Sequence, residues 1–156
     1  MNIYTLSRSQ VENIESWYPK EIGEGSLLVS IGNPGQTTGD IDEDLFEDVI
    51  RLKFHDADPD VSHGQVKGMT LLTSDQIQDV VDLIESRNPE TLFVQCQAGQ
   101  SRSCGFAYSL HKHYNDGDLK SGWENYNRFV ERKVSETLRG YKKDEDYYND
   151  IFTNED

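Results

Sequence analysis

Cys96 closes the apolar run "TLFVQC", and Arg102 follows after five intervening residues in "CQAGQSRS". A thiol at the end of a strand, a short loop and then an arginine opening a helix is an arrangement with a physical use. A loop wrapped at a helix N-terminus points several backbone N–H groups at one spot, and the helix dipole adds positive potential there. Gly99 lets the backbone come closer than a side chain would permit. Arg102 can hold two oxygens of a phosphate with its planar fork. The same potential favours the thiolate form of Cys96, which then lies beneath the bound anion as a nucleophile. Ser103 can donate a hydrogen bond to that sulfur and stabilise it as the leaving group of a second step. Gln97, Ala98, Gly99, Gln100, Ser101 and Arg102 together would make a phosphate-binding loop. Cys-x5-Arg alone is a weak signal. With Gly99, Arg102 and a hydroxyl at 103 all required, chance agreement falls to about one in a few thousand per cysteine.

The chemistry needs a strand to deliver the cysteine and a helix to supply the dipole. "SLLVSIG" (26–32), "DVIRLKF" (48–54) and "TLFVQC" (91–96) read as buried strands bounded by turn residues, and "NIYTLS" is a weaker strand signal. Helical patterns lie between them. Ser9 with Glu12 reads as a capping box before "VENIESW", and Thr73 with Gln76 as another before a helix with Ile77, Val80, Val81 and Ile84 on one face. Residues 102–114 read as a buried helix. Ser121 with Glu124 reads as the cap of a last helix, in which Trp123, Tyr126, Val130, Val134 and Leu138 share a face before Gly140. Strands alternating with helices imply an α/β layer structure, with a mostly parallel sheet of four to five strands flanked by helices. The expected organisation is one domain over residues 1–140 and an acidic tail over 141–156. Two loops stand out: the turn-rich "GNPGQTTGD" (32–40) and the long acidic "HDADPDVSHGQVKGM" (55–69).

"VQCQAGQSRS" resembles the signature loop of the protein tyrosine phosphatase superfamily, usually written His-Cys-x5-Arg-Ser/Thr. The form Cys-x-Ala-Gly-x-Ser-Arg-Ser is close to that of the dual-specificity branch and its compact bacterial and viral relatives. "SLLVSIGNPG", "RLKFHDADPD" and "ENYNRFVERKVSETLRG" extend the resemblance over roughly residues 26–140. It implies the cysteine phosphatase fold and a two-step reaction through a cysteinyl-phosphate, with no metal or other cofactor. It also implies an aspartate on an upstream loop as general acid. "FHDADP" matches the family form Phe-x-Asp-x-x-Pro with Asp56 in that role. Asp58 is the alternative, and Asp60 lies in the same loop. Gln95 stands where most relatives have a histidine that orders the loop. Asn127 resembles an asparagine that dual-specificity members keep near the loop, against the plainer reading of a helix-surface side chain.

The 156 residues carry a formal charge of -14, a field that repels nucleic acid and anionic membranes. Two cysteines make no disulfide framework, and Cys104 reads as an inert core residue. His111 and His113 are spaced to face apart on a helix, so no metal site is read. The start, "MNIYTLSRSQ", has no leader pattern and no run reaches membrane-spanning length, so a cytoplasmic protein is expected. A monomer is the expected state, although no motif bears on it. Relatives that act on inositol phosphates or RNA 5′ ends usually carry lysines around this loop, so the resemblance, with the neutral loop and the -14 charge, implies a phosphorylated protein as substrate, phosphotyrosine first, with phosphoserine and phosphothreonine left open. Two rivals stand beside the enzyme: a phosphate-binding module without turnover, and a sulfur- or arsenic-transfer enzyme. Tyr147 and Tyr148 in "DEDYYND" raise the further idea of a tail that occupies the site.

Overall fold

The computed structural model describes residues 1–59, 67–122 and 124–140; Asp60, Trp123 and the segment 141–156 with Tyr147 and Tyr148 lie outside them. The strands are β1 (Asn2–Leu6), β2 (Gly23–Gly32), β3 (Phe46–Lys53), β4 (Thr91–Gln95) and β5 (Leu119–Lys120). Two short helices, α1 (Arg8–Glu12) and α2 (Ile14–Trp17), follow β1; α3 (Ser74–Arg87) precedes β4, α4 (Arg102–Tyr114) follows it, and α5 (Arg128–Leu138) comes last.

All five residues of β4 are buried, as a strand covered on both faces requires. It is the middle strand of a five-stranded sheet of order β3-β2-β4-β1-β5 in which every pairing is parallel. Alternate residues divide between two cores. Leu92 and Val94 join Leu27, Val29 and Ile31 beneath Ile77, Val80, Phe106, Leu110, Val130 and Val134 of α3, α4 and α5. Phe93 faces the other way with Tyr4, Leu6, Leu28 and Phe46, under Val11 and Ile14 of the two short helices. The Phe93 ring lies 5.4 Å from that of Tyr4 and 5.8 Å from those of Tyr18 and Phe46.

The α/β architecture expected from the alternation of patterns is the one found. Several boundaries differ. The weaker strand signal at "NIYTL" is also a strand, β1, and it lies inside the sheet between β4 and β5. β5, only two residues long, carries no periodic signal. The first capping box is Ser7 with Gln10 rather than Ser9 with Glu12; Ser7 Oγ accepts the Gln10 N–H and the Gln10 side chain returns to the Ser7 N–H. The Thr73–Gln76 box forms as read. α5 is capped by Asn127, whose Oδ1 accepts the Val130 N–H, so Ser121, Glu124 and Tyr126 precede the helix rather than opening it. No helix among the described residues is long and apolar enough to cross a membrane.

Candidate active site

Parallel strands point their C-terminal ends the same way, so the loops after β1, β2, β3 and β4 share one rim of the sheet. Cys96 follows β4 there, 2 % exposed, with its N–H donating to the Leu6 carbonyl at 3.2 Å. The Gln97 carbonyl accepts from the Arg8 N–H at 3.1 Å, which pins the loop to the end of β1. At Gly99 the reason for glycine is doubled: φ is +70°, and a Cβ would stand 2.5 Å from the Ser7 amide nitrogen. Among the described residues, none accepts a hydrogen bond from the amides of residues 97–101, which therefore remain available to a ligand.

The side chains expected to do the chemistry are brought together. Cys96 Sγ lies 3.2 Å from Ser103 Oγ. Arg102 is 5 % exposed at the first position of α4. Its Nη1 donates to Asn33 Oδ1 at 2.9 Å and to the Phe54 carbonyl at 2.8 Å, while its Nε is buried with no partner among the described residues. An orphaned buried guanidinium nitrogen carries a desolvation penalty that an anion would remove.

Asp56, beyond the end of β3, reaches the loop from the opposite side. Ser101 Oγ and Asn127 Nδ2 both donate to its Oδ1 at 2.8 Å. Among the described residues Oδ2 has no hydrogen-bond partner. Asn127 Nδ2 also donates to the Ala57 carbonyl at 3.0 Å, and the Asn127 N–H donates to the Ser101 carbonyl at 3.3 Å. Asn127 is 7 % exposed, so the helix-surface reading of this residue is corrected: its side chain caps α5 and holds the aspartate loop, and its backbone N–H touches the signature loop. Asp58 is half-buried further along the same loop, and Asp56 is the aspartate whose carboxylate accepts from the signature loop through Ser101 Oγ.

α4 must come close to α5 for this to work. Gly105 permits it, since a Cβ there would lie 2.5 Å from the Asn127 carbonyl oxygen. Beside this contact Tyr126 stacks on Tyr108 at 4.7 Å, with the Arg128 guanidinium 4.1 Å over its ring. Glu131, one turn on, accepts from Lys112 Nζ at 2.7 Å. Burial pushes the Glu131 carboxyl up, but the hydrogen bonds from Lys112 and Tyr126 and the charges of Lys112 and Arg128 outweigh it and hold it below the ordinary range.

The hydrogen bonds of the Gln95 side chain lead away from the loop it precedes. Its Oε1 accepts from Ser30 Oγ and its Nε2 donates to the Thr38 carbonyl at 3.0 Å, tying β4 to β2 and to the loop after β2. Cys104, 0 % exposed, is more than filler: its thiol donates to the Gly99 carbonyl at 3.3 Å and accepts from Ser121 Oγ at 3.0 Å. Both cysteines are free thiols. No group of three or more metal-binding side chains occurs among the described residues. Asn33 went unremarked in the sequence because an asparagine in "GNPG" has the ordinary explanation of a turn residue. Compared with known proteins, the chain matches no family model and no curated relative.

Proposed function

We propose that this chain is a cysteine-dependent phosphatase that hydrolyses phosphotyrosine in proteins, with activity on phosphoserine and phosphothreonine left open. The observation that carries the reading is Asp56 at 2.8 Å from Ser101 Oγ, because an acid within reach of the loop separates an enzyme from a phosphate cradle. The geometry suggests each role. The phosphoryl group sits among the amides of residues 97–101 and the open edge of Arg102, and Cys96 Sγ attacks phosphorus. As the S–P bond forms, the ester O–P bond breaks and Oδ2 of Asp56 gives its proton to the leaving oxygen. Water then attacks the cysteinyl-phosphate, Asp56 takes a proton from it, and the S–P bond breaks. Ser103 Oγ, 3.2 Å from the sulfur, donates to the departing thiolate. Arg102 and the loop amides hold charge on the equatorial oxygens throughout. No step calls on a metal or other cofactor.

Hydrolysis of para-nitrophenyl phosphate by the native chain and by Cys96→Ser tests the reading. Turnover lost in the variant supports it. Phosphate binding without turnover would instead favour the binding module.

A further inference from the structure

The turn-rich loop of residues 33–40 has no part in the chemistry above, yet it is restrained from several sides. Its Thr38 carbonyl accepts from Gln95 Nε2 at 3.0 Å, and Thr38 Oγ1 accepts from Arg51 Nη1 at 2.6 Å. The Asp40 N–H donates to the Glu12 carboxylate at 2.8 Å. Thr38 itself is 2 % exposed and packs so tightly that a Cβ on Gly32 would stand 2.8 Å from its methyl carbon. A loop held this firmly can deliver a side chain accurately, and the one it delivers is Asn33, whose Oδ1 is 2.9 Å from Arg102 Nη1.

The Phe54 carbonyl is 2.8 Å from that same nitrogen, so both of its N–H groups are spoken for. The other edge of the guanidinium, Nε with Nη2, is the edge that grips two oxygens in parallel. Its Nε is buried and, among the described residues, unpartnered. We infer that Asn33 is a positioning residue: by occupying Nη1 it turns the Nε–Nη2 edge of Arg102 to a tetrahedral oxyanion, and as a neutral amide it does so without cancelling the charge. Neutrality has a physical point in a chain of net charge -14, where a carboxylate at this place would pair with Arg102 and repel the anion. Gln95 acquires a role in the same way. It neighbours the nucleophile in sequence but acts on the arginine, through the loop that carries Asn33.

The inference rests on the anion-binding half of the proposed function and not on turnover. The test is calorimetric titration with inorganic phosphate, together with para-nitrophenyl phosphate kinetics and thermal melting, on the native chain, Asn33→Ala and Asn33→Asp. Asn33→Ala is expected to weaken phosphate binding about ten-fold with little change in melting temperature. Asn33→Asp is expected to melt no lower than native and still bind phosphate at least about ten-fold more weakly, the loss shrinking as pH falls and the introduced carboxyl is protonated. A purely structural role would not separate stability from affinity in this manner. Both variants binding phosphate within about two-fold of native, or losing affinity only in step with stability, overturns the inference, as does a native chain that binds no phosphate. A native chain that binds phosphate without hydrolysing the ester overturns the phosphatase reading alone, and the titrations still decide the role of Asn33.

Discussion

Asn127 Nδ2 and Asp56 Oδ1 are 2.8 Å apart although 71 residues separate them in the chain. The bond joins the start of the last helix to the loop after β3, and Asn127 has a second task in capping that helix. The two tasks can be separated. Asn127→Asp keeps an acceptor for the Val130 N–H but loses the donor and sets a carboxylate against Asp56. Asn127→Ala loses both. Asn127→Ala should lose about 1 kcal/mol or more of unfolding free energy in urea, and Asn127→Asp less. Both should lose activity, so retained activity in Asn127→Asp would show that the aspartate loop needs no such tie.

If Asp56 is the general acid, its removal should matter most when the leaving group is a poor one. Asp56→Asn is expected to slow phosphotyrosine-peptide hydrolysis by about 10²- to 10⁴-fold, and para-nitrophenyl phosphate hydrolysis markedly less. Asp58→Asn serves as the comparison and should leave the ratio of the two rates near native. Reversal of the two variants' behaviour would move the acid to Asp58.

Gly105→Ala adds a single methyl group to the α4–α5 contact, 2.5 Å from the Asn127 carbonyl oxygen. Alanine normally favours a helix interior over glycine. Here the steric conflict with backbone should win, with a net loss of about 1–3 kcal/mol in denaturant titration. A stabilised variant would mean that the two helices can separate freely.

Glu131 offers a prediction in pH. Its folded-state carboxyl is held below the ordinary value of 4.5, so the unfolded chain binds more protons as the solution is acidified. The contribution to stability is therefore fully present above that ordinary value and is lost as pH falls through the lower, folded one. Lys112→Met, which removes the 2.7 Å partner, should flatten that part of the acid limb in a series of thermal melts. An unchanged slope would assign the acid sensitivity to other carboxylates.

Much of the site was legible because its chemistry is local. Cys96, Gly99, Arg102 and Ser103 fall within eight residues, and the proposed chemistry demands each by type: a nucleophile, a left-handed backbone position, a planar cation and a hydroxyl beside the sulfur. α3 and α4 were legible for a related reason, since their apolar stripes and the Thr73–Gln76 box repeat within a few turns. What could not be read was the placing of residues that act at long range through a single polar contact. Asn33 and Asn127 look like turn and surface asparagines until the parallel sheet brings the ends of β2, β3 and β4 together. The misplaced caps have a similar cause. Ser9 and Ser121 satisfy the pattern of a cap as well as Ser7 and Asn127 do, and tertiary contacts choose between them. β1 was underrated because nothing inside five residues reports that a strand will be flanked on both sides.

The contacts that complete the site span 45 residues between Ser101 and Asp56, 69 between Arg102 and Asn33, and 71 between Asn127 and Asp56. Contacts of such separation close late, because the intervening chain must already be ordered. A ribosome releasing this chain would deliver Cys96 well before Asn127, so a partly made protein would hold a thiol in a loop whose facing carboxylate, Asp56, is still untethered. On the phosphatase reading, activity would begin only when the last helix docks, and its recovery on refolding should trail the recovery of helical signal.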